Sequence, residues 1–252
     1  MFRHAIARKP GANVYQGLTT VNLGSPDFAL ICAQHDAYVR ALESCGVAVT
    51  TLEADQRYPD GCFVEDVAVV ASGCIIMTRP GAPSRRGEGE SIEPLLAAHG
   101  EIARIEAPGT VDGGDVVVAG DRVLVGLSQR TNRDGARQLE RILSGHGMRV
   151  QFVPVTGSLH LKSDVNYLGD DRLLVTRAYD SRDELAGFVR IAVPAAEGYA
   201  ANSLVCGTSV LAPDGYPRTR ERLEQAGFTV IALDMSEFRK MDAGLTCLSL
   251  RL

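Results

Sequence analysis

Asp115-Val116-Val117-Val118-Ala119-Gly120-Asp121-Arg122-Val123-Leu124-Val125 reads as two short strands, Val116–Ala119 and Val123–Val125, folded back on each other at Gly120-Asp121. Gly and Asp tolerate the left-handed backbone that a tight hairpin turn requires. The same pattern recurs along the chain. Val67–Ala71 and Cys74–Thr78 flank Ser72-Gly73 after Asp66, Val165–Leu168 and Leu173–Thr176 follow Asp164, and Leu204–Val205 with Val210–Leu211 follow Asn202. The opening Asp residues lie 49 apart from 66 to 115 and again from 115 to 164, and the step from 164 to 202 is 38.

Working outward, five segments read as strands that follow a helix: Val47–Leu52, Ile102–Ile105, Val150–Val155, Val189–Val193 and Thr229–Leu233. Ser25-Pro26 is a good cap and first-turn pair for a helix carrying Phe28, Leu30, Ile31, Tyr38 and Leu42 and stopping at Gly46. Thr131-Asn132 opens a second helix with Leu139, Ile142 and Leu143, and Thr219 opens a third that stops at Gly227. A fifth unit is split across the termini, with Leu245–Leu250 as its first strand and Phe2–Ala7 as its second. Pairing the last strand with the first is how a circular β architecture closes its edges. A period near 50 repeated about five times therefore predicts a ring of ββαβ units with helices outside. The fold class is α/β, in a single domain spanning residues 1–252.

Composition narrows the function classes. The formal charge of −5, with no Lys/Arg run longer than Arg85-Arg86, lacks the footprint of a nucleic-acid or anionic-membrane binder. No apolar run approaches the length of a membrane span, and the N-terminus has no signal-like apolar core. The six cysteines show neither C-x-x-C nor zinc-ligand spacing, so reduced thiols in the cytoplasm are expected. There is no P-loop and no G-x-G-x-x-G, and no metal motif, so neither metal nor cofactor is expected.

The unusual polar residues fall in the loops ahead of the hairpins: Asp60, Glu65 and Asp66; Asp112 and Asp115; His160; Asn202; Asp242 and Cys247. In a pseudo-symmetric ring, equivalent positions converge on one axis, which gathers carboxylates, an imidazole and a thiol about one cavity. Carboxylates so placed raise one another's pKa unless a cation compensates them. A planar guanidinium, with five N–H donors matched to carboxylate geometry, is the best candidate for that cation. A guanidinium carbon resists water, but a thiolate attacks it if the thiolate can be held ionised beside it. Cys247 is then the nucleophile, expected to alkylate unusually fast near neutral pH. His160 protonates the departing amine and later activates water.

Phe63-Val64-Glu65-Asp66, Arg79-Pro80-Gly81-Ala82 with Ser84-Arg85-Arg86-Gly87-Glu88, and Asp112-Gly113-Gly114-Asp115 resemble dimethylarginine dimethylaminohydrolase. So do Arg130-Thr131-Asn132, Leu159-His160-Leu161-Lys162, Gly215-Tyr216-Pro217-Arg218 and Thr246-Cys247-Leu248-Ser249, in order along the whole chain. The resemblance implies the five-bladed α/β propeller of the guanidino-group-modifying (pentein) superfamily, around a central site. It implies Cys247, His160 and Asp112 as catalytic residues, with Asp66 and Asp112 gripping the substrate guanidinium. Glu65 would support His160 or line the site, Arg85 and Arg130 would clamp the substrate α-carboxylate, and Asp60 with backbone near Leu18 and Met241 would take the α-amino group. Many bacterial relatives carry Glu where Asp112 stands, so its reach is shorter. The implied partner is a small molecule, methylated arginine, and the products are citrulline with methylamine or dimethylamine. Relatives include monomers and dimers, which leaves a homodimer open.

Two competitors stand beside this reading. Arginine deiminases usually carry an acidic residue two positions after the catalytic His, where this chain has Lys162, which disfavours unmethylated arginine. A non-catalytic binding protein on the same ring would have no reason to keep both thiol and imidazole. Asp115, Asp164 and Asn202 read as structural hairpin starters, and Gly113-Gly114 as a point of close approach or positive φ.

Overall fold

The structure is a computed structural model and describes residues 2–252. Its elements, in chain order, are β1 (His4–Arg8), α1 (Phe28–Ser44), β2 (Ala48–Leu52), β3 (Ala68–Ala71), β4 (Cys74–Met77), α2 (Glu93–Leu96), β5 (Glu101–Arg104), β6 (Val116–Ala119) and β7 (Arg122–Leu127). They continue with α3 (Arg133–Gly145), β8 (Arg149–Pro154), β9 (Val165–Gly169), β10 (Arg172–Val175), β11 (Val189–Ala192), β12 (Leu204–Cys206), β13 (Ser209–Pro213), α4 (Pro217–Gln225), β14 (Thr229–Leu233), α5 (Ser236–Arg239) and β15 (Ser249–Arg251).

The strands form five three-stranded sheets of one topology: β3-β4-β5, β6-β7-β8, β9-β10-β11, β12-β13-β14 and β15-β1-β2. In each, the first two strands are antiparallel and the third runs parallel to the second. The last sheet joins the two ends of the chain, with Ile6 opposite Leu250, so the split unit expected from the sequence is present. Neighbouring first strands touch, β6 with β9, β9 with β12 and β15 with β3, which places them innermost. Apolar clusters fill the seams: Val69 and Ile76 of one blade pack with Val116, Val123 and Leu139 of the next.

Local chemistry corrects several expected boundaries. Helix α1 is capped by Asp27, whose carboxylate accepts from the Leu30 N–H at 2.9 Å, and not by Ser25-Pro26. Its buried stripe is Ile31, Tyr38 and Leu42, and Gly46 at φ +81° turns the chain into β2. Asn132 caps α3 as expected, accepting from Gly135 N–H at 2.8 Å. Helix α4 starts at Pro217, ahead of Thr219, because Pro is preorganised for a first turn and Glu197 accepts from the first-turn N–H groups of Arg218 and Thr219. No α-helix links β10 to β11; a single 3₁₀ turn, Asp183–Leu185, does so. Leu245–Leu248 is a 3₁₀ turn and only Ser249–Arg251 is strand. That difference matters, because each innermost strand is preceded by such a turn: Val64–Val67, Gly113–Asp115, Leu161–Ser163, Ala195–Ala201 and Leu245–Leu248. These turns carry the polar residues inward.

The terminal blade depends on Leu250, which is buried against Ile6, Val64 and Val67. Leu250→Ala should destabilise the protein by about 2–5 kcal/mol, lowering the thermal midpoint by roughly 5–15 °C. An unchanged midpoint in thermal denaturation would show that the terminal strand is dispensable.

Candidate active site

A small cavity on the axis is lined by Cys247, His160, Asp66, Asp60, Arg85, Arg130, Leu18 and Met241, with Phe63, Leu159, Asp242 and Ala243. Sulfur, imidazole and carboxylates thus meet in one hollow, although they come from turns far apart in the chain. The free space is only about 20 Å³, room for about one water. The mouth is fastened by the segment from Leu18 to Thr20. Leu18 N–H donates to both Asp60 carboxylate oxygens at 3.0 and 3.2 Å, and Thr20 Oγ1 donates to Asp242 Oδ2 at 2.8 Å.

His160 is buried and its Nε2 lies 3.0 Å from Asp112 Oδ2. Burial works against a charged ring. The charge of Asp66, the hydrogen bond to Asp112 and the charge of Asp115 outweigh it and lift His160 to about 9. The imidazolium in turn, with Arg85, holds Asp66 below the ordinary carboxylate range despite burial. One atom each of Asp66, Asp112 and His160 falls within 4.8 Å of the others, a spacing that could hold a metal. A divalent ion there would have to displace the His160 proton and compete with Arg85 for Asp66.

Asp66 is a junction. Its Oδ1 accepts from Gly114 N–H at 2.8 Å and its Oδ2 from Arg85 Nη1 at 2.6 Å. A carboxylate has about four acceptor sites, so each oxygen retains one. Arg85 is gripped on its other edges by Glu88, at 2.8–3.1 Å, and by the Phe63 carbonyl at 3.1 Å. Burial pushes Glu88 up to about 7 despite this partner. No protein group accepts from the Arg130 guanidinium among the described residues, and it lies in the cavity wall. Burial also raises Asp60, against the opposing charge of Arg85.

Cys247 sits in the Leu245–Leu248 turn, where its Sγ accepts from Gly244 N–H at 3.4 Å. Burial first, then the charges of Glu65 and Asp66, push the thiol up to about 12. Burial and these charges therefore favour a protonated thiol in the free protein, which runs against the expectation of fast alkylation near neutral pH. Burial, reinforced by the charges of Glu65 and Asp66, disfavours the thiolate in the empty site.

Two other residues stand differently from their expected places. Asp112 is fully buried behind the His160 ring and does not line the cavity; its second oxygen accepts from Gly81 N–H at 2.8 Å. The short side chain orients the imidazole and stops there. Glu65 faces away from the cavity and makes no bond to His160. Its Oε1 accepts from Lys162 Nζ at 2.7 Å and from Arg251 Nη2. With Gly113, Lys162, Thr246 and Arg251 it lines a larger hollow of about 770 Å³ on the opposite side of the partition, where neither Cys247 nor His160 is exposed. The site carboxylates are thus largely compensated by the protein's own cations.

Positioning groups read as plain hairpin starters prove to be more. Asp115 is fully buried and accepts from Leu161 N–H at 2.9 Å, Ser128 Oγ at 2.6 Å and Thr131 Oγ1 at 2.6 Å, which anchors the turn behind His160. The 49-residue recurrence was the signal that marked it. Gly113-Gly114 is a point of close approach, and neither residue has a positive φ. A methyl group on Gly114 would lie 2.7 Å from His160 Nδ1 and 3.0 Å from Asp66 Oδ1.

Gly114→Ala should therefore displace the imidazole and lower turnover by about 10²-fold while the protein stays folded; wild-type turnover would show that the ring accommodates the methyl group. Iodoacetamide should alkylate Cys247 of the free protein slowly at pH 7, with a rate still climbing at pH 10, as peptide mapping can follow. A plateau below pH 9 would contradict the raised thiol.

A sequence profile described as N,N dimethylarginine dimethylhydrolase, eukaryotic, matches residues 28–179. The N(G),N(G)-dimethylarginine dimethylaminohydrolase of Pseudomonas aeruginosa is 47% identical over 253 residues, covering 100% of both chains. A cysteine-to-serine mutant of that P. aeruginosa enzyme, solved in complex with citrulline, superposes with a TM-score of 0.98 at 46% identity and covers 100% of both chains. The N-terminal domain of ArgZ, at 17% identity, shares the fold with a TM-score of 0.87, covering 98% of this chain and 97% of that one. By sequence and by fold, the chain belongs to the dimethylarginine dimethylaminohydrolase family.

Proposed function

We propose that this protein hydrolyses Nω-methylated arginine to citrulline and dimethylamine or methylamine, with Cys247 as nucleophile and His160 as general acid and base. The observation that carries the reading is one cavity lined by both the Cys247 thiol and the His160 imidazole, together with Asp66 and Asp60.

The substrate guanidinium supplies the positive charge that the thiol lacks. Bound beside Asp66, it lowers the Cys247 pKa, and the thiol proton leaves to solvent. The sulfur then attacks the planar carbon. His160 enters this step already protonated and gives its proton to the departing dimethylamine nitrogen, which leaves an S-alkylthiouronium on Cys247. The neutral imidazole next takes a proton from water as that water adds to the same carbon. Collapse of the adduct expels the sulfur, which takes up the hydroxyl proton to return as the thiol, and leaves citrulline. Asp112 keeps Nε2 occupied, and so keeps the ring in one orientation through both steps.

Asp66 retains acceptor capacity on both oxygens for the guanidinium N–H groups, Arg130 is free to meet the α-carboxylate, and Asp60 lies near Leu18 and Met241 for the α-amino group. Arg85, held by Asp66 and Glu88, would reinforce that anion site by charge. Admission of a substrate requires the Leu18–Thr20 segment to shift, since the closed cavity is too small. Lys162, two residues after His160, points its ammonium to Glu65 and the Gly113 carbonyl, so that turn offers no further carboxylate to the cavity. A methylated nitrogen, which has fewer N–H groups to satisfy, suits such a site better than arginine does. All six cysteines are free thiols, and no helix among the described residues is long and apolar enough to cross a membrane. We place the enzyme in the cytoplasm, as one catalytic domain.

The pure, reduced protein should release citrulline from asymmetric dimethylarginine without added metal or nucleotide, and prefer it to arginine by about 10²-fold in kcat/KM. Cys247→Ser should abolish turnover and stay folded. No citrulline from any guanidine of a methylarginine and arginine panel between pH 6 and 9 would overturn the reading. Because His160 must begin protonated, kcat should fall once pH exceeds the His160 pKa in the substrate complex, which the bound cation holds below the value of about 9 in the free protein; a rate still climbing above pH 10 would remove His160 from the acid role.

A further inference from the structure

We propose that Asn202 is a positioning residue of the reaction, the group that sets the Cys247 turn against the His160 turn. The inference rests on the hydrolase reading above and deepens it. Asn202 is only 6% exposed. Its Oδ1 accepts from Thr246 N–H at 3.0 Å, and its Nδ2 donates to Thr246 Oγ1 at 3.1 Å and to the Lys162 carbonyl at 3.0 Å. Thr246 immediately precedes the nucleophile, and Lys162 lies two residues beyond His160. One planar amide therefore spans the two turns whose relative placement sets the distance from sulfur to imidazole.

The surroundings leave that amide little freedom. A methyl group on Gly244 would lie 2.4 Å from Asn202 Cγ, so the loop backbone rests against the amide. The same Gly244 N–H points to Cys247 Sγ. On its other side, the Thr246 carbonyl is held by Arg251 Nη1 at 2.9 Å. The donor and acceptor pattern also accounts for an amide here, where other seams use carboxylates. Asp66 and Asp115 are met only by donors. Asn202 must accept once and donate twice, one of those donations going to a carbonyl that a carboxylate would repel. A carboxylate would also add a third negative charge to the two, Glu65 and Asp66, that already raise the thiol.

The test compares wild type with Asn202→Ala and Asn202→Asp by kcat and KM for citrulline release from asymmetric dimethylarginine, and by the rate of iodoacetamide alkylation at Cys247. Asn202→Ala loses all three bonds and should lower kcat by about 10–100-fold with KM changed by less than about threefold. Asn202→Asp keeps the acceptor for Thr246 N–H but loses both donations, and should lower kcat and slow alkylation further below wild type. A folded Asn202→Ala with kcat within about twofold of wild type, or a loss carried by KM alone, overturns the proposal. Should Asn202→Ala not fold, the isosteric Asn202→Asp decides by the same criteria. Wild type without citrulline release would strike the hydrolase reading alone. Alkylation would still separate the cases: unchanged rates in both variants would overturn the role of Asn202, and altered rates would support it.

Discussion

The structure depends on buried polar side chains that reach from the start of one innermost strand to a backbone N–H of the next blade. Asp66 accepts from Gly114, Asp115 from Leu161 and Asn202 from Thr246. Each acceptor is buried, and a buried N–H left without a partner costs about 1–3 kcal/mol, so a small slip of one blade against the next would be penalised at once. At the seam after Asp164 the pattern changes. Asp164 turns back to Ser158 and Thr176 within its own unit, and Asn166 bridges forward by donating to the Ala201 carbonyl. In the terminal blade, the slot two residues before the inner strand, which Asp66 and Asn202 hold elsewhere, is held by Cys247. The proposed nucleophile occupies a place in the scaffold that the equivalent residues of other blades use for cohesion.

That origin explains the electrostatics. A ring that brings acidic side chains to its axis must neutralise them, and this one does so from its own chain. Arg85 serves Asp66 and Glu88, Lys162 and Arg251 serve Glu65, and His160 serves Asp112. Ion pairs this deeply buried gain little net stability, because desolvation offsets their attraction. Their effect is on protonation. With burial, they favour a charged imidazole and a neutral thiol in the empty site, and in the proposed reaction the thiolate would form only once a guanidinium is bound. A thiol in that state is also spared adventitious chemistry while the site is empty.

The partition between the two axial hollows is built from alternation. Glu65 and Asp66 are consecutive and face opposite ways, as do Thr246 and Cys247. The tight 3₁₀ turns ahead of each inner strand send neighbouring side chains to different sides. One face receives the chemistry, and the other receives the charges that fix the turns in place.

The repeat was legible in the sequence because hairpin turns and strand alternation are local, and five such units leave their period in the order of residues. So were the ring, the shared terminal blade, and the membership of Asp60, Asp66, His160 and Cys247 in one hollow, since pseudo-symmetry converts spacing into convergence; Arg85 and Arg130 were placed there only by the family resemblance. Helix starts at Asp27 and Pro217 were misplaced by a few residues, because Asp27 competes with its neighbours for the cap and Glu197 caps α4 from a distant loop. What only the tertiary structure decided is direction and partnership: that Asp112 meets His160 and stops behind it, that Glu65 turns away, that Asn202 reaches 44 residues along the chain to Thr246, and that the thiol is raised. An Asp before a strand looks the same in sequence whether it closes its own turn or holds the next blade. The difference lies in which buried N–H stands opposite, and only the packed ring supplies that.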